Sequence, residues 1–165
     1  MIPPTKDIFA DPESQDSGGI QKENLQVFSS GTLKFAIFES EIAKIVEWRS
    51  PAPLPHAPPP VLGVVSVQGR MLTVLDPVVL LGHSTNGNSS FGLIIALRGD
   101  EQLALAAVSK VDAQLKADPQ YRNSEVAEQP VLSVINHNGE TISVLDVKKL
   151  FAVAIRGRER RRRHF

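Results

Sequence analysis

The chain has 165 residues, 42% of them hydrophobic, which suffices for one ordinary domain or two very small lobes. It contains no cysteine, so disulfides, thiolate metal sites and cysteine nucleophiles are excluded. The formal net charge is zero, but the last ten residues hold six arginines and one glutamate, which leaves the remainder acidic. No apolar run approaches the roughly 18 residues that span a bilayer, and the N-terminus lacks a secretion signal, so a cytoplasmic location is expected.

In chain order, residues 1–24 are rich in proline, glycine and polar residues, which predicts a disordered N-terminal arm. From Leu25 onwards short apolar runs alternate with turn residues. Gly31 and the pairs Gly99-Asp100 and Asn138-Gly139 are the clearest hairpin signals. The pattern predicts a mainly β domain over residues 25–155, followed by an arginine-rich tail over residues 156–165.

Six prolines between residues 49 and 60 forbid regular strand pairing and predict a stiff, extended segment. Such a segment is either a ligand for a proline-binding module or a structural connection that wraps its own barrel. We adopt the second interpretation.

An internal repeat with an offset of 70 residues aligns residues 61–81 with residues 131–151, and eight of the 21 positions are identical. Among them are Gly69 with Gly139 and Asp76 with Asp146. The same offset aligns the earlier hairpins, so the chain contains one unit twice. Each unit is predicted to contain two strand-turn-strand segments joined by a connection, and a closing helix.

Asp76 is a natural N-cap for the first closing helix, and Pro77 at its first position has no amide to lose. Asp146 caps a second helix that carries Leu150 and Ala154 at helical spacing and can run on into the arginines. Two small, intertwined β-barrel lobes are therefore expected, at about residues 25–82 and 91–155.

No motif indicates catalysis. His56, His83, His137 and His164 are scattered, and none lies three or four residues from another potential metal ligand on a helix. A phosphate-binding glycine loop and a nucleophile elbow are both missing from the sequence. Asp76 and Asp146 recur because the helix start recurs. We therefore predict no catalytic residue, no metal and no cofactor, and interpret the chain as a non-enzyme.

Two features carry alternatives. Trp48 is either a half-exposed anchor for a partner or a core residue at the seam between the lobes. The terminal arginines either bind nucleic-acid phosphates or an anionic membrane surface, or form a solvated tail or an extension of the last helix. These arginines are Arg156, Arg158, Arg160, Arg161, Arg162 and Arg163.

The stretch from Leu54 to Arg70, followed by Leu72-Thr73-Val74-Leu75-Asp76, resembles the centre of CheW-like domains. That family shows an Ala-Pro pair, a Gly-Val-Ile-like strand, an Arg-Gly turn and a strand that ends in a Val-Asp-Leu-like helix start. The resemblance extends upstream to Phe35 and downstream to Phe151. It implies two SH3-like five-stranded barrels and a scaffold that couples methyl-accepting chemoreceptors to the regulatory domain of a CheA-type histidine kinase.

One departure from the family concerns the turn before Gly69. Where the family has asparagine, a spacer and arginine, this chain has Ser66, Val67 and Gln68. Arg70, on the far side of the glycine, is a candidate substitute for the missing charge. The departure favours a divergent or accessory homologue, such as the truncated CheW-like protein of a frizzy-type motility system.

Five residues are predicted to contact partners because they lie at or beside segments that resemble the family's binding faces. They are Ile42, Val46, Trp48, Gln68 and Arg70.

Overall fold

The computed structural model describes residues 22–83, 90–99, 101–117 and 130–162, with side chains as far as Ala154. Nearly all of the predicted N-terminal arm lies outside these residues, as does Arg163. The described strands are β1 (Glu23–Ser30), β2 (Leu33–Phe38), β3 (Ile42–Glu47), β4 (Val61–Val67), β5 (Arg70–Leu75), β6 (Leu93–Leu97), β7 (Leu103–Ala107), β8 (Ser109–Ala117), β9 (Val131–His137) and β10 (Glu140–Leu145). The helices are α1 (Pro77–Leu80) and α2 (Val147–Arg162), and a 3₁₀ turn (Glu39–Glu41) joins β2 to β3.

A tight turn forms at the predicted Asn138-Gly139 pair and at its repeat partner Gly69, whereas Asp100 of the predicted Gly99-Asp100 pair lies outside the described residues. Gln68 and Gly69 join β4 to β5 with φ angles of 51° and 79°, and Asn138 and Gly139 join β9 to β10 with φ angles of 52° and 80°. Two consecutive residues with positive φ define the type I′ turn, whose twist matches that of antiparallel strands. The two copies of the repeat therefore use the same hairpin.

The strands form two five-stranded sheets. Sheet A has the order β8-β1-β2-β10-β9, and sheet B has the order β3-β6-β7-β5-β4. Each sheet has one parallel pair, β2 with β10 in sheet A and β5 with β7 in sheet B, and its other pairs are antiparallel. The predicted mainly β fold is confirmed.

The two strand orders become identical when the chain is shifted by one repeat. The first copy supplies β1 and β2 to sheet A and β3, β4 and β5 to sheet B. The second copy does the reverse, with β6 and β7 in sheet B and β8, β9 and β10 in sheet A. Each sheet is thus built from two strands of one copy and three of the other, so the copies exchange strands within one chain.

The sequence-based unit of four strands misses β3 and β8, which fall in its connections. β3 lacks regular alternation because Ala43 and Lys44 are both exposed and the pairing with β6 shifts between Ile42 and Lys44. A bulged edge strand gives no clean period-two pattern, so the sequence did not distinguish it from a connection.

Among the described residues, the buried side chains form three clusters. The central cluster joins the sheets through Phe28 and Phe35 of sheet A, Ile95 and Leu105 of sheet B, and Leu150 of α2. The Phe28 and Phe35 rings stack with their centroids 5.6 Å apart. A second cluster lies on the other face of sheet B, and a third on the other face of sheet A.

Residues from both edge strands of each sheet contribute to that sheet's own cluster. In sheet B these are Val46 of β3 and Val65 of β4, and in sheet A they are Leu115 of β8 and Ile135 of β9. This is the arrangement expected of a sheet curled around its own core. Hydrogen-bonded closure of each sheet into a barrel stays a prediction, as do the lobe boundaries.

The proline-rich connection packs against its own sheet, as the sequence predicted. The Ala52 N–H donates to the Val64 carbonyl at 2.8 Å, and the Val64 N–H donates to the Ala52 carbonyl at 2.9 Å. Gly63 permits this approach, since a Cβ at its position would lie 2.3 Å from the Ala52 oxygen.

Both predicted helix caps form. The Asp76 carboxylate accepts from the Val78 N–H at 2.9 Å, and the Asp146 carboxylate accepts from the Lys148 N–H at 3.1 Å. The helix after Asp146 does run on into the arginines, to Arg162.

Candidate partner-binding surface

The five predicted contact residues lie on the two edges of sheet B. Ile42 and Val46 belong to edge strand β3, and Trp48 follows it directly. Gln68 and Arg70 belong to the hairpin between β4 and β5, at the opposite edge.

Trp48 and Val46 are half-buried and pack against the cluster on the outer face of sheet B. The Trp48 ring lies 4.9 Å from the ring of Phe91, between centroids, and the backbone N–H of Trp48 donates to the Gly92 carbonyl at 3.0 Å. Trp48 thus packs in the cluster of one sheet, whereas the cluster that joins the sheets is elsewhere. Its predicted role as a partner anchor stays a prediction.

Arg49 connects the two edges of sheet B. Its Nη2 donates to the carbonyl oxygen of Ser66 at 2.7 Å, so the chain that leaves β3 is fixed to β4 beside the hairpin. Because a charged donor strengthens a hydrogen bond, this contact stabilises the placement of Trp48 near the hairpin. Trp48 is therefore one residue away from a direct bond to the strand that leads into the hairpin of Gln68 and Arg70.

The hairpin presents polar and apolar side chains together. Gln68 and Arg70 are exposed, and Met71, which pairs with Ser66 across the hairpin, is 57% exposed. Leu72 and Val74 of the same strand point into the sheet B cluster, so Met71 lies on the outward face. We call Arg49, Ser66, Gln68, Arg70 and Met71 the hairpin surface.

Ile42 lies apart from the hairpin surface. It begins β3, pairs with Leu97 and packs against the central cluster. Four residues of strand, about 13 Å, separate it from Val46. The structure does not bring Ile42 together with the hairpin residues.

The described residues contain no group of three or more histidine, cysteine, aspartate or glutamate side chains that could hold a metal ion. Burial raises the pKa of the Asp76 carboxyl, against the lowering effect of hydrogen bonds from the N–H groups of Val78 and Val79. Since Asp76 caps α1, its shifted pKa has a structural origin. Among these residues, no helix is both long and apolar enough to cross a membrane.

Sequence reasoning missed Met71 and Arg49. Met71 had a detectable signal, because the alternation of Leu72 and Val74 assigns it to the outward face, where the second copy has Thr141. No sequence signal identified Arg49, because its bond to Ser66 depends on how the proline-rich connection approaches β4.

The sequence matches the family model of the CheW-like domain over residues 24–154. Comparison with curated proteins gives no match. Among solved structures, the fold is similar to that of the scaffolding protein TtCheW from Thermoanaerobacter tengcongensis, with a TM-score of 0.63 and 16% sequence identity. The similarity covers 79% of this chain and 93% of that one, and at this identity it is a likeness of fold.

Proposed function

Because the chain belongs to the CheW-like domain family, we propose that it is a non-enzymatic adaptor that couples a methyl-accepting chemoreceptor to the regulatory domain of a CheA-type histidine kinase. The family match over residues 24–154 is the observation that carries this proposal. The adaptor acts in the cytoplasm by burying surface against its partners, without turnover.

The hairpin surface is the proposed docking site for at least one partner. Exposed Met71 offers apolar area, and Arg70 beside it offers a charged donor, a combination enriched at protein interfaces. The half-buried Trp48, whose ring packs against Phe91, directly precedes Arg49, which is hydrogen-bonded to the strand that leads into this hairpin. A partner with an acidic group beside an apolar pocket fits this chemistry.

Gln68 replaces the family's usual arginine at the turn, and two other guanidinium groups compensate in our proposal. Arg70 pairs with Val67 in the strand ladder, and Arg49 binds the carbonyl of the preceding residue, Ser66. Arg70 is thus two residues from Gln68, and Arg49 is bound to a residue two positions before Gln68. The positive charge of the site is retained but comes from neighbouring positions.

The test is titration calorimetry of the full chain with the cognate kinase regulatory domain and, separately, with a cytoplasmic receptor fragment. We expect binding to each at micromolar concentrations. Failure to bind either partner at tens of micromolar would overturn the adaptor proposal.

A double variant, Arg70→Ala with Met71→Ala, tests the site. The repeat supplies a matched control, Glu140→Ala with Thr141→Ala, because these exposed residues occupy the same positions on β10 of sheet A. We expect the first variant to lose at least about 10-fold in affinity for one partner, or roughly 1.4 kcal/mol, while the control binds as the natural chain does. Equal losses in both variants, with unchanged melting temperatures, would show that the hairpin surface is not the site.

A further inference from the structure

The second half of α2 extends past the part of the helix that the core holds. Leu150 is fully buried and Ala154 is 2% exposed, both within the central cluster. The helix then continues for eight residues, 155–162, to Arg162. At 1.5 Å per residue this segment is about 12 Å long. We call it the helical arm.

The helical arm concentrates positive charge in a way that opposes its own folding. Arg156, Arg158, Arg160, Arg161 and Arg162 lie in it, with Glu159 as its one acidic residue. Successive positions turn by 100°, so these positions are distributed around the whole helix. Arg156 with Arg160, and Arg158 with Arg162, are like-charged pairs four residues apart, each of which destabilises an isolated helix by about 0.2–0.5 kcal/mol. A polyanion would remove this repulsion.

We propose that the helical arm binds the phosphate backbone of nucleic acid, independently of the adaptor's protein partners. Guanidinium groups bind phosphate oxygens in a bidentate manner, and the last ten residues contain arginine but no lysine. Apart from Ile155 at its start, the helical arm contains only arginine, glycine and glutamate, so it lacks the apolar stripe of a helix that lies in a membrane surface. Nucleic acid is therefore the favoured polyanion.

The positive charge of this region is concentrated in the arm. The described residues before the arm are close to neutral, with ten lysines or arginines against nine aspartates or glutamates. A DNA duplex has a major groove about 12 Å wide, which admits a helix. The binding is expected to be insensitive to base sequence.

The test is fluorescence anisotropy of the full chain with a labelled DNA duplex of about 20 base pairs, measured from 50 to 200 mM salt. With about five phosphate contacts, affinity should fall about 10²- to 10³-fold over this range. Replacing all six tail arginines with glutamine, which keeps good helix propensity, should abolish the binding. Replacing them with lysine keeps the charge and should retain most of it.

Binding of the full chain to anionic and to neutral phospholipid vesicles is measured in parallel, as a test of the membrane alternative. Equal DNA binding by the natural chain and the glutamine variant would overturn the proposal, as would vesicle binding without DNA binding. Kinase and receptor titrations of the glutamine variant should match those of the natural chain, so that this proposal and the adaptor role can fail separately.

Discussion

Single residues at the ends of strands fix how each copy of the repeat begins its helix. Asp76 is 5% exposed and accepts from the Val78 N–H, while its own N–H donates to the Pro60 carbonyl at 2.8 Å. Asp146 donates in the same way to the Pro130 carbonyl at 2.6 Å. One carboxylate thus stabilises the helix start, and the same residue's amide ties it to the start of the preceding hairpin.

Two substitutions of Asp76 distinguish its role as a helix cap from the effect of its buried charge. Asp76→Ala removes the side-chain acceptor and should lower the free energy of unfolding by about 1 kcal/mol at neutral pH. Asp76→Asn keeps an acceptor of equal capping strength and removes a buried ionised group, so it should be at least as stable as the natural chain there. Urea unfolding of both variants measures the difference, and an Asn variant as unstable as the Ala variant would contradict this explanation.

The difference in stability between the natural chain and Asp76→Asn should depend on pH. Since burial raises the pKa of the folded Asp76 carboxyl above its ordinary value of 3.8, the folded state holds this proton more tightly than the unfolded state. Stability from this group is therefore greatest below 3.8 and is lost as pH rises through the raised pKa. The advantage of Asp76→Asn should appear over that window and stay constant above it.

Gly63 provides a second test at this scale. A methyl group there meets the Ala52 carbonyl carbon and oxygen, and the φ angle of 146° is strained for any other residue. Gly63→Ala should cost about 2–5 kcal/mol, the sum of backbone strain and overpacking. Gly31→Ala is the control, because its φ is 65° and nothing lies within 4 Å, so only the left-handed cost of about 1–2 kcal/mol applies. If thermal unfolding showed the same loss of stability for both variants, the proline-rich connection would be able to move away from residue 63 at no cost.

At the scale of elements, the first half of α2 packs in the core and the second half is the helical arm. Val147, Leu150 and Ala154 face the central cluster, which anchors the first two turns. A helix of 16 residues with an arginine-rich end is only marginally stable in isolation, so its stability depends on this packing against the central cluster. The helical arm is therefore only as ordered as the packing of its first half allows.

Leu150→Ala should lower the free energy of unfolding by about 2–5 kcal/mol, because it leaves a cavity between the sheets. Phe151→Ala, one position along the helix, should cost about 1 kcal/mol or less, since Phe151 is 41% exposed. Chemical unfolding of both variants measures the contrast. A larger loss for Phe151→Ala would mean that the outer face of α2 is packed as well.

At the scale of the whole molecule, the exchange of strands makes the two copies interdependent. β1 and β2 pair with β8 and β10, and β6 and β7 pair with β3 and β5. Neither copy contains all five strands of any sheet. The central cluster likewise takes side chains from both copies.

A chain divided between residues 86 and 87 tests this interdependence. Each fragment alone should lack cooperative unfolding, because its strands have no complete sheet to join. The equimolar mixture should regain the β-sheet circular dichroism of the intact chain and elute as one complex in size-exclusion chromatography. A fragment that unfolds cooperatively by itself would show that a single copy can complete a sheet.

Much of the local structure was predictable from sequence for identifiable reasons. The hairpin at Asn138-Gly139 follows from its turn chemistry, and the helix starts follow from Asp76 and Asp146. The candidate binding site was harder to predict from the sequence. Gln68 and Arg70 were identified from a resemblance and are exposed, whereas Val46 and Trp48 proved half-buried in the sheet B cluster. Burial of an edge residue depends on the curl of its sheet, which no local pattern encodes.

The sequence by itself determined that one β unit occurs twice, where its helix starts fall, and that arginine is concentrated after residue 155, whereas the structure extended the last helix into those arginines. Only the tertiary structure decided which strands pair. Because the two copies carry nearly the same apolar pattern, a copy that paired with itself and a copy that paired with its neighbour would bury the same residues. The choice depends on long-range packing through the central cluster, where Phe28 and Phe35 of one copy meet Ile95, Leu105 and Leu150 of the other.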